Sequence, residues 1–235
     1  MQVNYFHIDE YTNRGMIQLI IGPMFSGKST ELFRLTNLYK IAKKKVVVVK
    51  YENDTRYDEK LASTHDKKTV KAISAVHLKD IFDKLKVNDV IGIDEGQFFD
   101  DIVYVAEELA KLGKLVIVAA LDGDFQRRPF ETITGLYPLA EKIEKINAVC
   151  RLCGYFASFT FRTTTCSDLE VIGGEEMYKA VCRECYYELK KKQHEDQINN
   201  NNPDETNNET LSISNNQQTK EYGLKKKNFI TRNIA

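Results

Sequence analysis

The run Gly22-Pro23-Met24-Phe25-Ser26-Gly27-Lys28-Ser29 fits the spacing G-x-x-x-x-G-K-[ST] and follows a short apolar stretch, Met16-Ile17-Gln18-Leu19-Ile20-Ile21. That spacing binds phosphate where a buried strand turns into a helix. Glycines let the backbone come close, amides at the helix N-terminus point inward, the lysine neutralises β/γ oxygens and the hydroxyl ligates Mg²⁺. A glycine-rich turn could carry the same letters and bind nothing, but the apolar run before it and the amphipathic stretch after it supply the required context. Gly22 to Ser29 therefore reads as a phosphate-binding loop, which commits the chain to an α/β sheet. Val46–Val49, Val90–Ile93 and Leu115–Leu121 each have the length and composition of a strand buried on both faces. A helix is expected over 28–43 with Leu32, Leu35, Leu38, Tyr39 and Ala42 on its inner face, and another over 101–112 with Ile102, Val105, Ala106, Leu109 and Leu112 inward. Residues 53–75 are polar and aperiodic, which predicts a loop or hairpin over the sheet.

Asp94-Glu95-Gly96-Gln97 closes the run Val90–Ile93 and so sets two adjacent carboxylates at the C-terminal edge of a buried strand. In an open α/β sheet that edge is where ligands sit. Successive strand residues point in different directions, so the acids can divide the work: Asp94 as partner of Mg²⁺, Glu95 as the base that activates an attacking hydroxyl or water. Without a phosphate loop upstream, the same letters would read equally well as a solvated acidic turn.

Cys150-x-x-Cys153 and Cys182-x-x-Cys185 are two knuckles 28 residues apart. Tetrahedral Zn²⁺ takes four thiolates, and each C-x-x-C supplies two, so Cys150, Cys153, Cys182 and Cys185 read as a structural zinc site rather than a redox dithiol or unrelated buried thiols. Cys166 is the odd one out and reads as a free thiol. Lys+Arg and Asp+Glu each number 34, so no net field draws the chain to nucleic acid or an anionic membrane. No apolar run is long enough to span a bilayer, and Met1–Glu10 lacks the regions of a signal peptide, so a cytoplasmic protein with reduced thiols is expected. After Lys192 the composition shifts, with ten asparagines among residues 193–235, and a disordered tail is expected. The layout is thus an ATP-binding core over 15–149, a zinc-binding lid over 150–192 and a tail over 193–235. The fold class is α/β: a P-loop NTPase-like parallel sheet flanked by helices, with a small zinc-ribbon-like lid. Arg127-Arg128 and Lys225-Lys226-Lys227 read as solvated basic runs.

Taken together, Gly-Pro-Met-Phe-Ser-Gly-Lys-Ser-Thr at 22–30, Asp54-Thr55-Arg56-Tyr57, Ile93-Asp94-Glu95-Gly96-Gln97-Phe98, Phe125-Gln126-Arg127-Arg128-Pro129-Phe130, both cysteine pairs and Val171-Ile172-Gly173-Gly174 resemble the type II (cytosolic) thymidine kinases. The resemblance covers about 15–192 in unbroken order. It implies transfer of the ATP γ-phosphate to the 5′-hydroxyl of thymidine, a homotetramer, and feedback inhibition by dTTP. Glu95 would be the catalytic base. Lys28 and Arg56 would stabilise the transferred charge, Ser29 and Asp94 would serve Mg²⁺, and Asp54, Thr55 and Gln97 would complete the ATP and Mg²⁺ site. Phe125 would stack on thymine, with Phe130 beside it, and Tyr178 would contact the base or sugar. Met24, Leu121 and Thr160 would shape the pocket for the 5-methyl group. The lid segment Leu169, Glu170, Val171, Ile172 and Gly173 would read the base mainly through its backbone.

Two other classes fit parts of the pattern. A P-loop ATPase motor also uses an acid pair after a strand, but 150–235 offers no second sheet domain. A zinc-ribbon nucleic-acid-binding module would need basic side chains, and 150–181 holds only Arg151, Arg162 and Lys179.

Overall fold

The computed structural model describes residues 14–52, 61–63, 69–163 and 177–201. The apolar runs form strands. β1 (Met16–Gly22) is buried along its whole length and leads through the glycine-rich loop into α1 (Lys28–Ile41). β2 (Val46–Tyr51) follows, then the antiparallel hairpin of β3 (Leu61–Ser63) and β4 (Thr69–Lys71), and β5 (Ile73–Ala75). A 3₁₀ turn at Leu78–Ile81 runs into the single-turn α2 (Phe82–Leu85), and β6 (Val90–Ile93), α3 (Ile102–Lys111), β7 (Leu115–Leu121), α4 (Glu131–Leu136) and β8 (Lys142–Lys145) complete this layer. The six-stranded sheet has the order β5-β2-β6-β7-β1-β8, and its pairs are parallel.

Strand side chains alternate between two packed layers, as the pleat requires. Ile17, Leu19, Ile21, Ile91, Ile93, Val116 and Val118 pack under α3 and α4, whereas Met16, Ile20, Val48, Val90, Leu115, Ile117 and Ala119 pack against Leu32 and Phe33 of α1. The inner stripe of α3 is the expected one up to Leu109; Leu112 follows the helix as its C-cap and is exposed. That of α1 is not. Its buried residues are Lys28, Leu32, Phe33 and Thr36, while Leu38 is 41% exposed and Ala42 is the C-cap. Close approach selects this stripe: a Cβ on Gly92 would lie 2.9 Å from Thr36 Cγ2 and 3.2 Å from Leu32 Cδ1.

Two edge strands escape the pattern reading. β5, expected to lie in a loop, pairs with β2, and β8 pairs with β1 although Lys-Ile-Glu-Lys has no apolar run. An edge strand half in water needs only alternate burial, which β8 has. Beyond β8, β9 (Ala148–Val149) pairs with β10 (Phe156–Ala157), and β11 (Phe159–Arg162) with β12 (Tyr178–Val181), both antiparallel. α5 (Arg183–Asn201) begins inside this layer through Cys185, Tyr186 and Leu189, and continues past Lys192 into the stretch that composition marks as unstructured. Once a first turn is anchored by packing, each further residue adds little cost even in polar sequence. Contacts divide the chain into units 1–193 and 194–235. No helix among the described residues is long and apolar enough to cross a membrane.

The Gly92 contact carries a prediction. Gly92→Val forces a branched side chain between β6 and α1, and chemical denaturation is expected to show a loss of about 1–3 kcal/mol; an unchanged midpoint would mean that α1 does not lean on β6.

Candidate active site

Gly22 leaves the sheet at φ 152°, Phe25 and Gly27 take φ 64° and 86°, and Gly27 caps α1. A Cβ on Gly22 would run into the Ile146 carbonyl, so this turn admits glycine alone. Within the loop, the Ser26 hydroxyl and the Lys28 ammonium both donate to the Pro23 carbonyl, at 2.8 and 2.7 Å. The loop is thus curled around its own lysine, with the first amides of α1 beside it.

β6 lies two strands from β1, with β7 between them. Two strand spacings are about 10 Å, yet the Ser29 hydroxyl donates to Asp94 Oδ1 at 2.9 Å because the loop carries α1's N-terminus across β7. The Glu95 N–H donates to the same oxygen at 3.1 Å. Burial first, and then the neighbouring Glu95 carboxylate, raise Asp94 to about 7; the Ser29 hydroxyl, the Glu95 N–H and the Lys28 ammonium only partly offset this. Glu95 itself sits at φ 52° and is partly exposed. The Gln97 amide, 5% exposed, donates to Glu95 Oε2 at 2.7 Å and accepts the Leu121 N–H at 3.0 Å, so β7 steadies Glu95 through Gln97.

The cysteine-bearing layer closes against this loop. The Met24 N–H donates to the buried Thr160 hydroxyl at 3.0 Å, and Phe25 packs against the cluster of Ala148, Ala157, Phe161, Val181 and Tyr186. The four sulfurs of Cys150, Cys153, Cys182 and Cys185 lie within 4.8 Å of one another. A tetrahedron with metal–sulfur bonds of about 2.3 Å has edges of about 3.8 Å, and Cys153 Sγ lies 3.7 Å from Cys182 Sγ. Burial raises the Cys150 thiol, but backbone N–H groups of Cys153, Cys182 and Leu152 outweigh it and bring it down to about 6. Cys185 moves upward through burial and its neighbouring thiols. The donor set fits a structural Zn²⁺, and four ligands would leave it no open position.

Phe125 lies between the layers. The Tyr186 hydroxyl donates to its carbonyl at 2.9 Å, and the Arg162 guanidinium lies 3.9 Å from its ring centroid. Tyr178 is buried, with its hydroxyl 2.7 Å from Arg162 Nη2. Phe130 precedes α4 and packs on the core of the large sheet. Arg127 is partly exposed, and its guanidinium also lies 4.3 Å from the Tyr186 ring centroid and 4.8 Å from that of Tyr187, whose hydroxyl it bonds at 3.2 Å. Arg128 pairs with Asp124 at 2.7 Å. Stacking on rings that follow some 60 residues later has no signature in a short basic run. Arg162 and Tyr186 were absent from the expected site. Alternation along Phe159-Thr160-Phe161-Arg162 puts Arg162 on the Thr160 face, which is the one signal that could have found it. Asp54, Thr55, Arg56, Leu169, Glu170, Val171, Ile172, Gly173 and Cys166 lie outside the described residues.

A phosphate loop facing an acid pair across one parallel strand defines a P-loop nucleotide-binding protein, here with a four-cysteine layer on the loop. The sequence profile "Thymidine kinase" matches residues 15–186. "Thymidine kinase" of Raccoon poxvirus is 56% identical over 174 residues, covering 74% of this chain and 98% of that protein. Those of Sheeppox virus (strain KS-1) and Variola virus (isolate Human/India/Ind3/1967) are 54% and 55% identical, over 74% of this chain and 97% and 98% of theirs. The chain belongs to the thymidine kinase family.

Two predictions arise from this geometry. Asp94 has its folded pKa raised above the unfolded one, so its contribution to stability is full below about pH 4 and is lost as pH rises through about 7. In nucleotide- and magnesium-free buffer, Asp94→Asn is expected to raise Tm more at pH 8 than at pH 5; equal shifts would mean that Asp94 does not titrate there. Freshly purified protein is expected to hold one zinc per chain by metal analysis, and Cys150→Ser to lose it; less than half an equivalent in wild type would count against a structural zinc.

Proposed function

We propose that this chain transfers the γ-phosphate of ATP to the 5′-hydroxyl of thymidine, giving dTMP and ADP. The observation that carries this reading is Glu95, partly exposed, tethered by Gln97 and adjacent to an aspartate that touches the phosphate-loop serine. A carboxylate fixed beside the phosphate loop can take the proton of an attacking hydroxyl as it approaches in line. Membership of the thymidine kinase family supports thymidine as the acceptor. Lys28 and the amides of α1 hold the phosphate oxygens. Ser29 and Asp94 are the pair that would hold Mg²⁺, which would offset the charge of the phosphate groups. Asp54, Thr55 and Arg56 complete the phosphate side. Phe125 stacks on the base with Phe130 and Tyr178 around it, while Met24, Leu121 and Thr160 bound the 5-methyl group. Residues 169–173 read the base edge from a lid spanning 150–192, which sits on a core of 15–149 and is followed by a tail from 193. Zn²⁺ on the four cysteines anchors that lid.

Inhibition by dTTP, a cytosolic setting and a homotetramer belong to the same proposal. The first follows from an end product that presents both a thymine and a triphosphate to one site. Reduced cysteines suit the second. Leu38 and Ile41, exposed on α1, suit the third.

The direct test is ADP formation with each deoxynucleoside in turn. Glu95→Gln keeps shape and most contacts, so kcat is expected to fall roughly 10²- to 10⁴-fold with ATP binding nearly intact. Activity within a few-fold of wild type would move the base elsewhere. Backbone groups present donors and acceptors in fixed order, and cytosine reverses those of thymine at two positions. Deoxycytidine is therefore expected to be disfavoured by about 10²-fold or more in kcat/KM, while deoxyuridine, lacking one methyl, remains usable. Comparable turnover of deoxycytidine and thymidine would overturn backbone recognition.

A further inference from the structure

We infer that Arg162 is a positioning residue for the nucleoside base: it fixes the two aromatic side chains Phe125 and Tyr178, and so sets the affinity for thymidine without touching the phosphate side. This rests on the thymidine kinase reading above, because Phe125 and Tyr178 are the rings assigned there to the base.

Arg162 is the last residue of β11 and is 2% exposed, among the most deeply buried large side chains described. A buried guanidinium is costly unless its environment engages it. Two of the groups that engage it are those same rings. Its centre lies 3.9 Å from the Phe125 ring centroid and 5.2 Å from that of Tyr178, and Nη2 donates to the Tyr178 hydroxyl at 2.7 Å. Arg162 and Tyr178 are register partners of the β11–β12 pair, so their side chains emerge from one face of that ribbon, together with Thr160. Phe125 comes from a different segment, the loop after β7. Its backbone is fixed by the Tyr186 hydroxyl, and Arg162 fixes its ring. A loop phenylalanine without that stack would sample other rotamers, and thymidine would have to select the productive one at each encounter. The backbone of Arg162 is itself held, because its carbonyl accepts the Gln193 amide at 3.0 Å.

The planar fork suits this task where an ammonium would not. It stacks on one ring while its edge donates to a hydroxyl. Lysine keeps the charge and loses the stacked plane.

The test is steady-state ADP formation by full-length, zinc-loaded Arg162→Gln and Arg162→Lys against wild type, with zinc content and Tm measured alongside. In Arg162→Gln the thymidine KM is expected to rise roughly 10- to 100-fold. The ATP KM is expected to stay within about threefold, because the phosphate loop keeps its own contacts. Arg162→Lys should fall between this variant and wild type. Each change is then combined with Phe125→Leu. Because Arg162 acts partly through the Phe125 ring, its loss has a clearly smaller effect on the thymidine KM once that ring is gone, the remainder passing through Tyr178, which a general loss of stability would not reproduce. Should Arg162→Gln fail to fold, the cycle is run with Arg162→Lys. A wild-type thymidine KM in folded Arg162→Lys, an equal rise in both KM values, or an undiminished effect in the Phe125→Leu background would each overturn the assignment. Failure of wild type to release ADP in response to thymidine would overturn the thymidine reading and this assignment with it, and is seen before any variant is made.

Discussion

The contact between the Ser29 hydroxyl and Asp94, 2.9 Å across an intervening strand, is the point on which the site depends. It needs three things at once. β1 and β6 must be parallel and separated by one strand, so that their C-terminal ends open on the same side. Gly22 must turn where no side chain fits, and α1 must begin early enough for its second residue to reach sideways. Each requirement is met by an ordinary feature of parallel sheets and helix starts, and none involves the substrate. The phosphate site is therefore a product of the scaffold, built before any ligand arrives.

The cysteine-bearing layer solves a different problem. Two short antiparallel pairs and the start of α5 bury few apolar side chains, and a core so small gains much from a cross-link. Four sulfurs within 4.8 Å of one another are placed to supply one through a bound Zn²⁺. The layer also leans on the phosphate loop itself, through the Met24 N–H to Thr160 and the Phe25 ring. One consequence is that the loop and this layer share a wall. Thr160, which takes the Met24 N–H, lies two residues from Arg162 and directly across the ribbon from Ala180.

How far the sequence reveals this arrangement depends on what kind of signal each part leaves. β1, β2, β6 and β7 are buried on both faces and read as continuous apolar runs, and the phosphate loop, the acid pair and the cysteine knuckles are local spacings. β5 and β8 leave no such trace, since edge strands tolerate polar residues and three or four positions are too few to establish alternation. In α1, Leu32, Leu35 and Tyr39 follow the pattern, but hydrophobicity alone favours Leu38 over Phe33 and Thr36, whereas the deciding constraint is the space above Gly92, a tertiary fact. Arg127 and Arg162 were opaque for the same reason. An arginine reads as solvated until the rings that will surround it, distant in the chain, are known to converge.

Backbone strain shows where the fold serves chemistry rather than stability. Among the described residues, the non-glycine residues with positive φ are Phe25, Lys43, Glu95 and Arg127. Lys43 follows α1, where a left-handed residue is a common way to stop a helix. The other three lie in the phosphate loop, at the acid pair and in the loop after β7, all of them segments that follow the C-terminal ends of β1, β6 and β7. Such conformations cost on the order of 1–3 kcal/mol each and persist only where neighbours over-determine them. Here the neighbours can be named: Phe25 is packed into the cysteine-bearing layer, Glu95 is tied through Gln97 to Leu121, and Arg127 is stacked on Tyr186 and Tyr187. Asp94, held with its carboxyl raised to about 7, adds an electrostatic strain at the same edge. A chain selected for stability alone could relax all four by glycine or amide substitutions without disturbing the sheet. That the cost is concentrated at the strand ends, and that each strained residue has its own restraint, marks this edge as the part of the molecule organised for phosphate transfer.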